Sequence, residues 1–222
     1  LVPIKGDKKK LLDLSLLNLK TYTKSIEQKR IEINTPYVIE QLKKDLNLNK
    51  APKNIECFDI SHLQGEHTVA SLVVFKNGVP AKSKYRHFNI KHGQGNNDFL
   101  SMEEVVLRHY KKYLNTNTPL PELIIIDGGK GQLNASLKSL QKLEIENKVE
   151  TIGLAKRLES VFFYKKDKPI MINRKSTSLK LLQRVRNEAH RFAIEFHRLK
   201  RSKTLTDSEL YNIDGVGKSS VE

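Results

Sequence analysis

Two aspartates and a histidine carry the chemistry that this sequence can place. Asp59 follows Ile55-Glu56-Cys57-Phe58, and Asp127 follows Leu123-Ile124-Ile125-Ile126. Short, largely apolar runs of this kind suit buried strands, so each aspartate is expected to close a strand. Ligands of open α/β sheets sit beyond the carboxyl ends of the strands. If these two strands are parallel neighbours, both carboxylates project into one crevice. Carboxylates so placed repel, and either one raises its pKa or a divalent cation lies between them. A hard cation held by carboxylates and phosphate oxygens suits phosphodiester hydrolysis. Either aspartate alone reads as a turn residue; the pair, in this topology, favours a nuclease site. His190, within Arg186-Asn187-Glu188-Ala189-His190-Arg191, is the candidate third group. It lies at the edge of a helix's apolar face, where an imidazole can ligate a metal or move a proton. The sequence leaves both roles open. His197 follows about two turns later on a similar face, and taken singly either histidine reads as a packing or surface residue.

The surroundings suit phosphate. Gly128-Gly129-Lys130-Gly131-Gln132 follows Asp127 and offers backbone N–H groups and Lys130 near a helix N-terminus. The spacing is not that of a nucleoside triphosphate loop, because no hydroxyl residue follows Lys130. Forty Lys and Arg against 25 Asp and Glu give a net charge of +15, which argues for a polyanionic partner. Between positions 174 and 203, ten cations stand against Glu188 and Glu195 alone. A charge run is ordinarily a solvated face. Here its sign is nearly uniform and it flanks the expected crevice, so it suits phosphate contact that salt weakens steeply. Lys130, Lys156, Arg186 and Arg191 are the candidates for holding neighbouring phosphates. Ile213-Asp214-Gly215-Val216-Gly217-Lys218 reads as the hairpin of a helix–hairpin–helix. In it Gly215 and Gly217 let backbone N–H groups approach a DNA phosphate without sequence preference, and Lys218 is the third DNA-binding candidate.

The elements that must position these residues follow from pattern. Residues 5–31, rich in Lys and Leu, read as a helix. A second helix is expected from Thr35-Pro36, a good N-cap followed by a first-turn proline, with a linker at 47–54. Residues 54–60 and 69–75 read as strands, Asn77-Gly78 as a hairpin turn and 85–90 as the return strand. A helix over 98–114, a strand over 123–126, a helix over 132–143 and a strand over 149–154 come next. A hairpin over 161–164 and 170–172 and a long helix over 178–200 complete the pattern. A three-stranded antiparallel meander followed by two crossovers is an α/β mixed sheet with helices on both faces. That is the order used by ribonuclease H-like folds, here preceded by a helical N-terminal segment. No apolar run approaches the roughly 20 residues of a bilayer span. The single Cys57 cannot form an internal disulfide and, with no signal peptide pattern, fits a reducing cytoplasm. An apolar fraction of 38% with amphipathic stretches excludes a wholly disordered chain. Beginning at Leu1 rather than Met, the chain reads as a piece of a longer protein.

Glu56-Cys57-Phe58-Asp59-Ile60-Ser61-His62, Asp127-Gly128-Gly129-Lys130-Gly131-Gln132, Asn187-Glu188-Ala189-His190-Arg191-Phe192-Ala193 and residues 213–218 together resemble the UvrC family, a component of the bacterial excinuclease of nucleotide excision repair. The likeness runs from about Val2 to Glu222. It implies a helical segment over 1–53, an RNase H-like endonuclease domain over 54–203 and the start of a helix–hairpin–helix domain over 204–222. It also implies incision of damaged double-stranded DNA on the 5′ side of a lesion, with Mg²⁺ or Mn²⁺. The implied partner is UvrB, which docks through a segment outside this chain. Residue by residue, Asp59, Asp127 and His190 match the family's catalytic and metal-binding trio. Asp98 matches an acidic position where the family often shows two aspartates; this chain has Asn97-Asp98, so Asp98 is secondary. The competing expectation is a non-catalytic DNA-binding module of a repair assembly, in which charge and hairpin only position the protein. The terminal hairpin disfavours a strand-joining transposase or integrase of the same fold, and the paired aspartates disfavour a structural ribonucleoprotein domain.

Overall fold

The chain forms α1 (Asp7–Leu46), β1 (Asn54–His62), β2 (Thr68–Lys76), β3 (Val79–Pro80), β4 (Arg86–Asn89), α2 (Asp98–Asn115), β5 (Leu123–Asp127), α3 (Lys130–Lys142), β6 (Glu150–Leu154), β7 (Ser160–Phe163), β8 (Ile170–Met171) and α4 (Thr177–Glu209). This computed structural model describes residues 5–62, 68–90, 97–155, 160–164 and 168–209, with side chains except at 24–35, 62 and 197–209. Lys156, the hairpin residues Gly215, Gly217 and Lys218, and the His197 side chain lie outside the described residues. No helix among the described residues is long and apolar enough to cross a membrane.

The described strands make one mixed sheet in the order β3-β2-β1-β5-β6-β7-β8, with β4 also paired to β2. β1 runs antiparallel to β2 and parallel to β5, and β5 runs parallel to β6. Two cores lie on opposite faces because side chains alternate along each strand. Ile55, Cys57, Leu123 and Ile125 face the end of α1 and the start of α4. Phe58, Ile124 and Ile126 face α2 and α3, which bury Met102, Val106, Leu133 and Leu140 against them. The meander, the two crossovers and the helices on both faces are those the residue pattern predicts.

Two elements differ from expectation. α1 runs unbroken through Pro36, where the sequence predicts a new helix. A proline inside a helix costs about 3 kcal/mol, and the turns after it offset this by burying Ile39, Leu42 and Leu46 in the core. Tertiary packing, not propensity, holds this end of α1. Leu11, Leu14, Leu17 and Leu19 in the earlier turns are exposed. The return strand expected over 85–90 is the second half of an interrupted edge. Asn77 and Gly78 turn the chain with φ of 47° and 74°, the left-handed pair a tight hairpin requires. β3 then pairs with β2 at once, Pro80 withdraws a backbone donor, a 3-10 turn at Lys82–Lys84 follows, and β4 resumes the pairing.

α2 is anchored through a buried acid. Glu56 is almost fully enclosed and lies 3.1 Å from His109 Nε2. It accepts hydrogen bonds from Tyr110 (2.8 Å) and Tyr113 (2.7 Å). Burial alone would push its pKa up, but the His109 contact and charge and the two phenols outweigh that and hold the carboxyl below its ordinary value. Glu56 therefore stabilises the fold in full above about pH 4.3, the ordinary glutamate value. That contribution is lost as pH falls through the lower folded-state value. Urea unfolding midpoints of the parent chain should drop across this acid range, and Glu56→Gln should flatten the drop. Leu42→Ala should cost about 2–5 kcal/mol in the same assay, whereas Leu14→Ala should change stability by no more than about 0.5 kcal/mol.

Candidate active site

The parallel pairing of β1 and β5 sets Cys57 beside Ile125 and Phe58 beside Ile126. The next residues on the two strands are Asp59 and Asp127. Cys57 and Ile125 point to the α4 face, so a period of two aims both aspartates at that face as well. They are only 3% and 6% exposed. Asp127 ends β5, but Asp59 does not end β1, which continues on β2 to His62. The expected strand end at Asp59 is instead the step at which β1 outruns its parallel neighbour.

α4 crosses this step. Ala189 and Ala193 are fully buried, and their small side chains let the helix approach the sheet closely. Ser71, the cross-strand partner of Asp59, donates a hydrogen bond of 3.1 Å to the Ala189 carbonyl. That contact fixes the helix one residue from His190. His190 Nδ1 then lies 3.4 Å from Asp59 Oδ2, with the imidazole 49% exposed. Arg186, one turn earlier on α4, completes the surroundings. Burial pushes the Cys57 thiol well above its ordinary pKa, the Asp127 and Asp59 charges push it the same way, and Arg186 opposes them. These three charged groups are therefore close enough to be felt at one buried atom.

Other expected residues are placed differently. Arg191 holds Glu188 through bonds of 2.8 Å from Nε and Nη2, and its Nη1 bonds Glu195. This guanidinium, expected to meet phosphate, is engaged within its own helix, and it holds Glu188 below the usual carboxylate range against the opposing effect of burial. Glu188 also accepts a 3.2 Å bond from Tyr85. Arg184 of the same basic run donates to the Gly78 carbonyl. Lys130 opens α3 and is exposed. Two glycines of its loop answer to packing. A Cβ at Gly128 would sit 1.5 Å from Gln132 Oε1, and one at Gly131 would sit 2.6 Å from the Phe99 ring. Asp98, the first residue of α2, has an oxygen 3.4 Å from Gln132 Nε2, which ties it to the first turn of α3, just beyond Asp127. Sequence reasoning missed Ser71, whose one signal is being the sole polar residue in the run 69–75.

Among the described residues, no three His, Cys, Asp or Glu side chains are grouped to hold a metal ion. The donor set that fits a hard cation is the pair of buried carboxylates, with phosphate oxygens and water left to complete its coordination, as Mg²⁺ sites commonly do.

Residues 43–194 match the model of the UvrC RNase H endonuclease domain. UvrABC system protein C of Flavobacterium psychrophilum is 51% identical over 226 residues, covering 99% of this chain and 37% of that protein. Its counterpart in Porphyromonas gingivalis is 48% identical over 225 residues, covering 100% of this chain and 38% of that protein. The chain thus spans little more than a third of the length of the curated relatives it matches. The crystal structure of human ENDOV superposes with a TM-score of 0.41 and 11% identity over 77% of this chain and 99% of that one, too loose a likeness to bear on activity. The chain belongs to the UvrC family, and the mixed sheet with helices on both faces is that family's RNase H-like endonuclease domain.

Proposed function

We propose that this chain cuts a damaged DNA strand on the 5′ side of a lesion in nucleotide excision repair, within the complex of DNA and UvrB, in the bacterial cytoplasm. The supporting observation is the placement of Asp59 and Asp127 at adjacent positions of two parallel strands, beneath His190. Asp59 and Asp127 hold Mg²⁺ or Mn²⁺. The cation supplies charge that activates the phosphate and stabilises the leaving 3′ oxygen. His190 either completes the coordination or orients and deprotonates the attacking water; its half-open ring reaches solvent on one side and Asp59 on the other. Water adds to phosphorus in line and the bond to O3′ breaks, leaving a 5′ phosphate and a 3′ hydroxyl. Arg186 and Lys130 hold neighbouring phosphates, and Asp98 assists from the start of α2. The helical segment over 1–53, the nuclease domain over 54–203 and the opening of a helix–hairpin–helix over 204–222 form the working arrangement. In the last of these, Gly215, Gly217 and Lys218 meet backbone phosphate, as Lys156 does in the nuclease domain.

Asp59→Asn and Asp127→Asn should each lower Mg²⁺- or Mn²⁺-dependent nicking of a lesion-bearing duplex, in the full repair assembly, by about 100-fold or more. That is the scale of losing several kcal/mol of transition-state charge stabilisation. DNA binding, read by fluorescence anisotropy, should be retained. Incision that persists in both variants would make the chain a DNA-positioning module instead.

A further inference from the structure

On the opposite face of the sheet from Asp59 and Asp127, a cavity of about 380 Å³ lies between the second half of α2 and the interrupted edge strand. Lys84, Arg86, Arg108 and Lys112 line it, and all four are exposed. They come from two separate parts of the chain and converge on one concavity, an arrangement that concentrates positive potential. Its negative charge is already committed. Glu104 pairs with Arg108 at 2.9 Å. Glu56, behind His109 and Tyr113, is enclosed and bonded by three α2 side chains. Among the described residues no carboxylate lies within ion-pair distance of Lys84, Arg86 or Lys112. Lys76 adds a further cation beside Lys84, and its ammonium, with partial burial, holds Lys84 below the usual lysine range against the weaker opposing pull of the Glu56 carboxylate. A crowd of like charges on one side of a pocket is an arrangement that a bound anion relieves. Lys112, in the last turn of α2, complements the helix dipole, but Lys84 and Arg86 belong to the strand side and have no such role. The Arg108 guanidinium lies over the Phe88 ring at 5.5 Å and donates to the Asn89 carbonyl at 3.1 Å, and Arg86 donates to the Ser83 and Tyr85 carbonyls, so the two arginines are anchored at the rim and the lysines are the cations that carry the site. At the far rim the Thr116 hydroxyl donates to the Lys112 carbonyl at 2.9 Å and lies 2.8 Å from the Thr118 hydroxyl, which closes that end of the cavity with neutral, internally bonded groups.

We infer that this cavity is a second phosphate-binding site, which grips a stretch of DNA sugar–phosphate backbone apart from the one at the carboxylates. The inference rests on the reading of the chain as a DNA-acting protein, but not on its cutting DNA. Occupancy here supplies affinity and orientation without sequence preference, because phosphate contacts fix position and bases specify.

The test is equilibrium binding of a fluorescein-labelled duplex by the chain, with EDTA present so that cleavage and metal play no part. Lys84→Gln with Lys112→Gln should reduce the steepness of log K against log salt by about two, each phosphate contact contributing about 0.9. Lys112→Glu should weaken binding further. Lys111→Gln with Lys138→Gln, exposed lysines outside the cavity, should leave the slope close to that of the parent. Thermal unfolding of each variant checks that the fold is kept. A double variant whose slope equals that of the parent, or of the Lys111/Lys138 control, overturns the site. So does an acidic peptide that depends on Lys84 and Lys112 while duplex binding does not. Incision that persists in the aspartate variants, with a reduced slope here, would sink the nuclease and keep the site; incision lost in those variants, with an unchanged slope here, would do the reverse.

Discussion

Everything in the site depends on the register of the parallel pairing between β1 and β5. Asp59 and Asp127 lie far apart in the chain, and only that ladder makes them neighbours. The side-chain period along a strand is two, so a slip of one residue would turn Phe58 or Ile60 toward α4 in place of Asp59. The slip is opposed from both faces at once. Cys57 and Ile125 are buried on one side, Phe58 and Ile126 on the other, and all five residues of β5 are buried. The two cores therefore hold the alignment of the carboxylates as well as the stability of the sheet. A parallel pair needs a crossover between its strands, and α2 supplies it. Its Glu56 anchor belongs, in that sense, to the geometry of a site on the other face.

The two faces divide the labour. The α2 face is closed by a satisfied buried network, in which one carboxylate has three bonded partners. The α4 face keeps two carboxylates buried side by side, an arrangement that costs stability unless positive charge answers it. Arg186 provides part of that answer from α4, which Ser71 and two alanines hold against the sheet, and the His190 ring lies beside Asp59. Under the proposed function, a cation supplies the remainder. Glu188 and Glu195 of the same helix are turned aside by Arg191.

Much of this was legible in residue order. The uninterrupted Leu123–Ile126 run, stopped by Asp127-Gly128-Gly129, locates a central strand and its end. Asn77-Gly78 locates a hairpin because both residues tolerate a positive φ. What was not legible depends on partners distant in sequence. Pro36 reads as a boundary by propensity, yet burial of the turns after it keeps α1 whole. Asp59 reads as a terminus because it follows the largely apolar run 55–58, yet the antiparallel neighbour carries β1 onward after the parallel one stops. Arg184 and Arg191 read as part of a uniform basic stretch, and only the fold shows that carbonyl and carboxylate groups already occupy them.

Cys57 is the chain's single sulfur nucleophile, sealed in the core and kept in its neutral form by burial and by the acids beside it. Maleimides and similar probes react with exposed thiolates, so the native residue offers them no foothold. One cysteine introduced at any solvent-facing position would then be the sole point of attachment for a dye or spin label. Distances between α4 and a bound nucleic acid become measurable without first stripping out a natural thiol.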